Sequence, residues 1–192
     1  MLSKLSPGVV RPPHDQVWFD VPVIPTEADL ADALTTAVRA AVTDLFRDNP
    51  GHTFYYVTLT TPGEAFGPAL SAWSHEALAQ RPDAGEVRYS YADSPFSIWG
   101  EEHLKPVRDL FAARPEVFDI ADEDASEAEF ELRLRAMETA LRRLSDEGLF
   151  GVGDARAGVL VLVEVVPGDE ENAARARRLN PPGPALDAWL AA

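Results

Sequence analysis

The sequence predicts an α+β fold: a mostly antiparallel sheet of about four strands, with long helices packed against it. Three observations carry this reading. Apolar residues recur at helical spacing over two long stretches, before residue 50 and again between residues 126 and 147. Two segments, 53–60 and 158–167, are dense in β-branched and aliphatic residues and read as strands. The order of helix, strands, helices, strand and helices lacks the strict alternation that builds a doubly wound sheet.

The chain divides into an extended N-terminal arm, residues 1–25, and a single α+β domain, residues 26–192. Pro7, Pro12, Pro13, Pro22 and Pro25 keep the arm out of regular structure and limit 16–25 to an edge segment. Thr26 and Asp29 form a capping box that opens the first helix. Leu30, Leu34, Val38, Val42 and Leu45 make its apolar stripe, and the Asn-Pro-Gly of 49–51 stops it. The segment TFYYVTLT, 53–60, is a central strand. PALSAW, 68–73, is expected to pair with it antiparallel. Ser74 then caps a short helix. In 85–93, Val87, Tyr89 and Tyr91 alternate with more polar residues, which predicts a third strand.

A helix is expected over 101–113, with Pro106 implying a start near 104 or a kink. Ser126 and Glu129 make a second capping box. Phe130, Leu134, Met137, Leu141 and Leu144 supply the stripe of a helix reaching Glu147, ended by Gly148 with Leu149 beyond it. GVLVLVEVVP, 158–167, is the most hydrophobic strand and is expected at the centre of the sheet. Two short helices near 169–179 and 185–191 close the chain, separated by Pro181, Pro182 and Pro184.

Composition narrows the function. The formal charge of −15 repels nucleic-acid phosphates and anionic lipid surfaces, and it steers a basic protein partner inward. There is no cysteine, which excludes disulfides, thiolate zinc sites and thiol nucleophiles and fits a cytoplasmic setting. The first residues lack the apolar core of a signal peptide. The longest apolar run, interrupted by Glu164, is too short to span a bilayer.

No motif assembles a reaction centre. Phosphate-loop patterns are absent, and the glycines of 148–158 follow a helix and precede a strand, the reverse of what an anion needs. His14, His52, His75 and His103 show no metal-binding spacing. Glu101, Glu102 and His103, being adjacent, fan around a helix rather than converge. Ser94 sits in an Asp-Ser-Pro turn. Glu164 interrupts a strand and shares its face with Leu160 and Leu162. A buried unpaired acid is costly, so it is expected at the strand's exposed end. Buried, it would have a raised pKa or a basic partner, and could act as a general acid or base. Arg175, Arg177 and Arg178, with Arg142 and Arg143, are expected in salt bridges with the acidic surface. No catalytic residue, metal or cofactor is assigned.

Several blocks together resemble a family: FYYVTLTT, LSAWSHEAL, YSYADSPFSIWGEE, RLRAMETALRRLSDEGLFG and RLNPPGPALDAWL. From about residue 26 onward the chain is similar to DUF4303, an uncharacterised bacterial family. That resemblance carries over no activity and no catalytic residue. In general character, small acidic α+β proteins are also similar to bacterial immunity proteins of toxin systems, such as the SUKH group.

The resulting expectation is a non-enzymatic interaction protein that binds a basic partner. Large aromatics are usually buried, so Phe96, Ile98 and Trp99 are read first as pinning the 89–102 loop to the core. Where Phe96 and Trp99 stay partly exposed, they form an aromatic patch rimmed by Asp93, Glu101 and Glu102. Two alternatives stand beside it. One is a hydrolase-type enzyme in which Glu164, Asp93 or His103 converge in a cleft. The other is a homodimer joined through a strand edge or the Trp73 and Trp99 region; otherwise the protein is a monomer.

Overall fold

The computed structural model describes residues 23–168 and 171–192, so most of the predicted N-terminal arm lies outside the described residues. Helix α1 (Glu27–Asp48) begins at the predicted capping box: Asp29 N donates to Thr26 Oγ1, and Thr26 N donates to Asp29 Oδ2 at 2.7 Å. Strands β1 (Phe54–Pro62) and β2 (Ala69–Ser74) follow, antiparallel to each other. Ser74 caps the single turn α2 (His75–Leu78), accepting from Ala77 N.

The remaining helices are α3 (Ala84–Val87), α4 (Glu101–Ala112), α5 (Glu123–Asp146), α6 (Asp154–Ala157), α7 (Asn172–Leu179) and α8 (Pro184–Leu190), with strand β3 (Leu160–Val166) before α7. No helix among the described residues is long and apolar enough to cross a membrane.

The α+β class holds, but among the described residues the sheet has three strands, in the order β2-β1-β3, and is mixed. β3 lies parallel to β1 and at the edge, not at the centre, with Tyr56 opposite Leu160 and Thr60 opposite Glu164. Its hydrophobicity reflects two covered faces rather than two strand neighbours. Asparagines replace the missing neighbour. Asn180 Oδ1 accepts from Val161 N at 2.8 Å and its amide donates to Val161 O at 2.7 Å. Asn172 does the same for Val165, at 3.0 and 3.1 Å. Two side-chain amides thus occupy outward-facing backbone groups of the edge.

The predicted third strand, 85–93, is instead the short α3 and a run of turns. Its carbonyls are taken by side chains: Tyr55 Oη donates to Arg88 O at 2.5 Å, and Trp73 Nε1 donates to Ser90 O at 2.7 Å. Residues 94–99, read as a loop, run along the free edge of β2. Ala72 N donates to Phe96 O and Trp99 N to Leu70 O, while Ser94 Oγ donates to Ala72 O. The fourth strand therefore exists as an irregular edge cover built around one bridge.

Two clusters pack the faces. Val57, Leu59, Val161, Val163 and Val165 meet α1, α4 and α5 through Leu34, Val38, Leu104 and Leu141. Tyr56, Trp73, Leu160 and Leu162 meet Ala176 and Leu186 on the other side.

Helix α5 starts earlier than the sequence suggests. Asp122 is its cap, accepting from Ala125 N at 2.8 Å, while Ser126 lies inside the helix and donates to Val117 O. Glu129, freed from capping, is buried with Arg133 and Arg114, at 2.8 and 2.5 Å. These arginines also hold Ala65 O, Pro115 O and Pro25 O, so the cluster joins the β1–β2 turn to the end of α4 and the entry to α1. The C-terminus of α5 ends as predicted: Leu149 N donates to Leu144 O and Gly148 N to Ser145 O, with Gly148 at φ +82°. Helix α4 starts at Glu101, not near 104, with Pro106 inside it and Gly100 before it.

Gly100 sits at φ +65°, and a Cβ there would lie 2.5 Å from Ala41 Cβ on α1. Gly100→Ala therefore combines a left-handed residue with overpacking, and urea unfolding is expected to show a loss of about 2–4 kcal/mol. For Glu129, burial pushes the carboxyl up, but the bonds from Arg114 and Arg133 outweigh it and hold it below its ordinary value. Its stabilisation is present above the unfolded value near 4.3 and is lost as pH falls through the lower folded value. Glu129→Ala strands Arg133 in the core, and its unfolding free energy is expected to fall by about 3–5 kcal/mol at pH 7. That deficit should shrink below about pH 4 as the wild type loses the charge.

Candidate functional site

The 89–102 segment enters α4 through a tight corner, and that corner fixes its aromatics. Phe96 is buried, its ring centroid 5.1 Å from Phe54 and 6.0 Å from Trp99. Trp99 is half-buried and its Nε1 donates to Ala41 O at 3.1 Å, tying the corner to α1. Ile98 points outward with 56% of its surface exposed. Asp93 is exposed and accepts from Ser90 Oγ at 2.6 Å. Glu101 and Glu102 are exposed in the first turn of α4, where a negative charge complements the helix dipole, and Glu101 pairs with Arg108 at 2.9 Å. The three acids are thus accessible, while Phe96 is internal, packed on Phe54, His52 and Trp99.

Beside this corner, α1 and α4 enclose a groove of about 580 Å³. Ala33, Ala37 and Ala40 recur on one face of α1, and Pro106, Val107 and Leu110 face them from α4. Small side chains on α1 keep the groove open, because nothing there fills the space between the helices. Asp32, Glu102 and His103 line its rim. Three potential cation ligands meet at the His103 end: one atom each from Asp44, Glu102 and His103 lies within 4.8 Å of the others. The sequence reading considered only Glu101, Glu102 and His103, which do fan apart. Asp44 arrives from α1 across the helix interface. Its carboxylate is already engaged, by His103 Nε2 at 2.8 Å and Arg47 at 2.5 Å, and these bonds hold it below its ordinary pKa.

The arginines behave partly as expected. Arg178 and Arg142 pair with Glu138 at 2.7 and 3.7 Å, and Arg143 pairs with Asp32 at 2.5 Å. Arg175 is buried and donates to Asn172 Oδ1. The glycine-rich connector holds α6, where Arg156 is buried and donates to Ser145, Val159 O and Leu179 O. Ser94 is buried as part of the turn, accepting from Phe96 N at 3.0 Å.

Glu164 departs from the expectation of an exposed strand end. It is largely buried on the second face of the sheet, and its Oε2 accepts from Tyr56 Oη at 2.5 Å and Thr58 Oγ1 at 2.7 Å. Burial pushes its carboxyl above the usual range, against those two bonds, which pull it down. Burial, with the neighbouring carboxylate, pushes the Tyr56 phenol well up.

The sequence alone does not show the parallel register: Thr60 lies opposite Glu164, and Tyr56 and Thr58, earlier on the same face of β1, reach its carboxyl. Glu164, Asp93 and His103 do not come together. Glu164 lies on the second sheet face and His103 on the opposite helix layer, while Asp93 is exposed on the edge loop; no hydrogen bond or ion pair joins any two of them. Trp73 is fully buried and lies beneath the 84–91 segment.

A family profile described as a domain of unknown function, DUF4303, matches residues 34–181, well over half of the chain. The protein belongs to that family. No curated protein and no solved structure matches the chain significantly.

For a carboxyl with a raised folded value, stability is present while it stays protonated and is lost as pH rises from the unfolded value near 4.3 through the folded one. Glu164→Gln keeps an acceptor for Tyr56 and Thr58 and removes the ionisation. Thermal unfolding at pH 7 should show the variant at least as stable as the wild type. Its stability should also change less between pH 4 and pH 7, read as a flatter Tm profile.

Proposed function

We propose that this protein is an interaction domain that binds a basic, amphipathic segment of a partner protein in the α1–α4 groove. The observation that carries the reading is an apolar, alanine-floored channel of about 580 Å³ with acids at its rim, on a chain of net charge −15. An apolar floor takes the hydrophobic face of a helix, and the acidic rim selects a basic outer face. Glu101, Glu102 and Asp93, with half-buried Trp99 and exposed Ile98, extend the same surface toward the edge of β2.

Rim charges act mainly on association rate and specificity, so binding by this surface should weaken steeply with salt. In this reading Phe96 and most of Trp99 act from beneath, as rigid support. The partner's contacts fall on Glu102, Asp32, Leu110 and Ile98.

The reading predicts a localised response to a designed 14-residue Leu/Lys helix at low ionic strength. In NMR titration, amide shifts should concentrate on α1 and α4, around Ala37, Ala40, Val107 and Leu110. The matching Leu/Glu peptide should leave them unmoved. The double change Asp32→Lys, Glu102→Lys should weaken binding on the order of tenfold. Shifts scattered over the acidic surface at large, or equal response to the acidic peptide, would contradict the groove as the binding surface.

A further inference from the structure

Where α8 packs on the second face of the sheet, a small cavity remains that the proposed docking role does not use. It holds about 220 Å³ and is lined by Tyr55 of β1, His75 of α2, Arg88 and Tyr89 just after α3, and Pro184 and Ala188 of α8, among others. Tyr55 is buried in the second-face cluster, and Tyr89 packs against that cluster, so one wall of the cavity is the core itself. The wall is held from several directions. The His75 ring stacks on Tyr55 with centroids 4.7 Å apart, and Tyr89 meets Tyr55 edge-on at 6.2 Å. Tyr55 Oη donates to Arg88 O at 2.5 Å, which ties down the backbone of the arginine in the wall.

The charge of this cavity runs against that of the chain. With a net charge of −15, most of the surface repels anions. Among the described residues, no Asp or Glu lines this cavity, and none lines the adjoining cavity of about 510 Å³ that shares His75 and Gly158 with it. Glu76, beside His75 in the chain, is engaged elsewhere: its Oε2 accepts from Thr53 N at 2.6 Å. The guanidinium carbon of Arg88 lies 5.7 Å from the Tyr55 ring centroid and 5.5 Å from that of Tyr89, so the cation sits over the aromatic wall. A ring face attracts the cation but leaves its planar fork of N–H donors for a carboxylate. One guanidinium balances one negative charge, so a carboxylate suits this site better than a phosphate dianion in the field of an acidic chain. The volume lies below the usual range for ligand pockets and suits a single ring with one charged substituent.

We infer that this cavity binds a small aromatic carboxylate, with the carboxylate on the Arg88 guanidinium and the ring against Tyr89, Pro184 and Ala188. The site lies across the sheet from the α1–α4 groove and takes an anion where that groove takes a basic segment, so it stands or falls independently of the docking reading.

The probe is benzoate at constant ionic strength, with benzylammonium as the cationic control, followed by methyl and amide NMR of the full chain. The expected result is saturable shifts at Tyr89, Ala185 and Ala188 with a dissociation constant of about 1–10 mM. Benzylammonium should produce none. Arg88→Gln removes the charge from an exposed side chain and keeps the carbonyl that Tyr55 holds, so its spectrum should stay that of a folded protein. It should weaken benzoate binding about tenfold or more. As a second variant, Ala188→Trp, at an exposed position of α8, fills the cavity without altering its charge and should also block binding. The inference is overturned if benzoate gives no saturable shift by about 100 mM. It is equally overturned if benzylammonium moves the same residues, or if either folded variant binds benzoate unchanged.

Discussion

Strand β1 must hide both faces and both edges, and a three-stranded sheet cannot achieve this with strands alone. Its first eight residues are all buried. β2 and β3 supply its hydrogen bonds, one antiparallel and one parallel. The two neighbours then become the edges, and each is covered by something that is not a strand. Along β2 the cover is the 94–99 segment, held by Phe96 O, Trp99 N and Ser94 Oγ. Along β3 it is a pair of asparagine amides from α7 and its C-cap. Edge groups left bare would invite pairing with another chain. Of the places considered for a homodimer contact, Trp73 is interior, and the strand edges carry these covers at Leu70, Ala72, Val161 and Val165.

The same constraint separates the two sides of the sheet. One face of β1 carries Val57 and Leu59 and packs against α1, α4 and α5. That packing sets α4 against α1 closely enough for Gly100 to touch Ala41, and leaves a channel where α1 offers three alanines with Asp32 and Thr36. The opposite face carries Tyr56, Thr58 and Thr60. Aromatics and α8 cover its first half, while the hydroxyl-rich second half holds Glu164. The acidic groove and the largely buried Glu164 carboxyl thus lie on opposite sides of one alternating strand.

Much of this was legible in the sequence where the signal is local. The α1 capping box, the Ser74 cap, the Schellman end at Gly148 and the apolar stripes of α1 and α5 all depend on residues within one or two turns, and they stand where the spacing puts them. What failed depended on distant partners. The tyrosine alternation of 85–93 fits a strand, but Tyr55 and Trp73 take its carbonyls first. Ser126 and Glu129 fit a capping box, but Asp122 caps earlier and Glu129 is drawn inward by Arg114 and Arg133. Hydrophobicity made 158–167 central in expectation, because a strand buried by helices and asparagines reads like one buried between strands. Of the acidic and aromatic residues singled out for binding, the acids are accessible, Trp99 is half covered and Phe96 is internal. Asp44, which joins Glu102 and His103, could not be placed without knowing that α1 and α4 pack side by side.

The account rests on β1 being enclosed from every direction, and native-state hydrogen exchange measures that enclosure directly. The amides of Val57, Leu59 and Thr58 should exchange only through global unfolding, matching the slowest amides of α5 and tracking denaturant with the full unfolding slope. Val161 and Val165, bonded to asparagine side chains, should join that slow set. Fast exchange at β1 with a shallow denaturant slope, while α5 stays protected, would mean that the sheet opens on its own and that the fold is not organised around this strand.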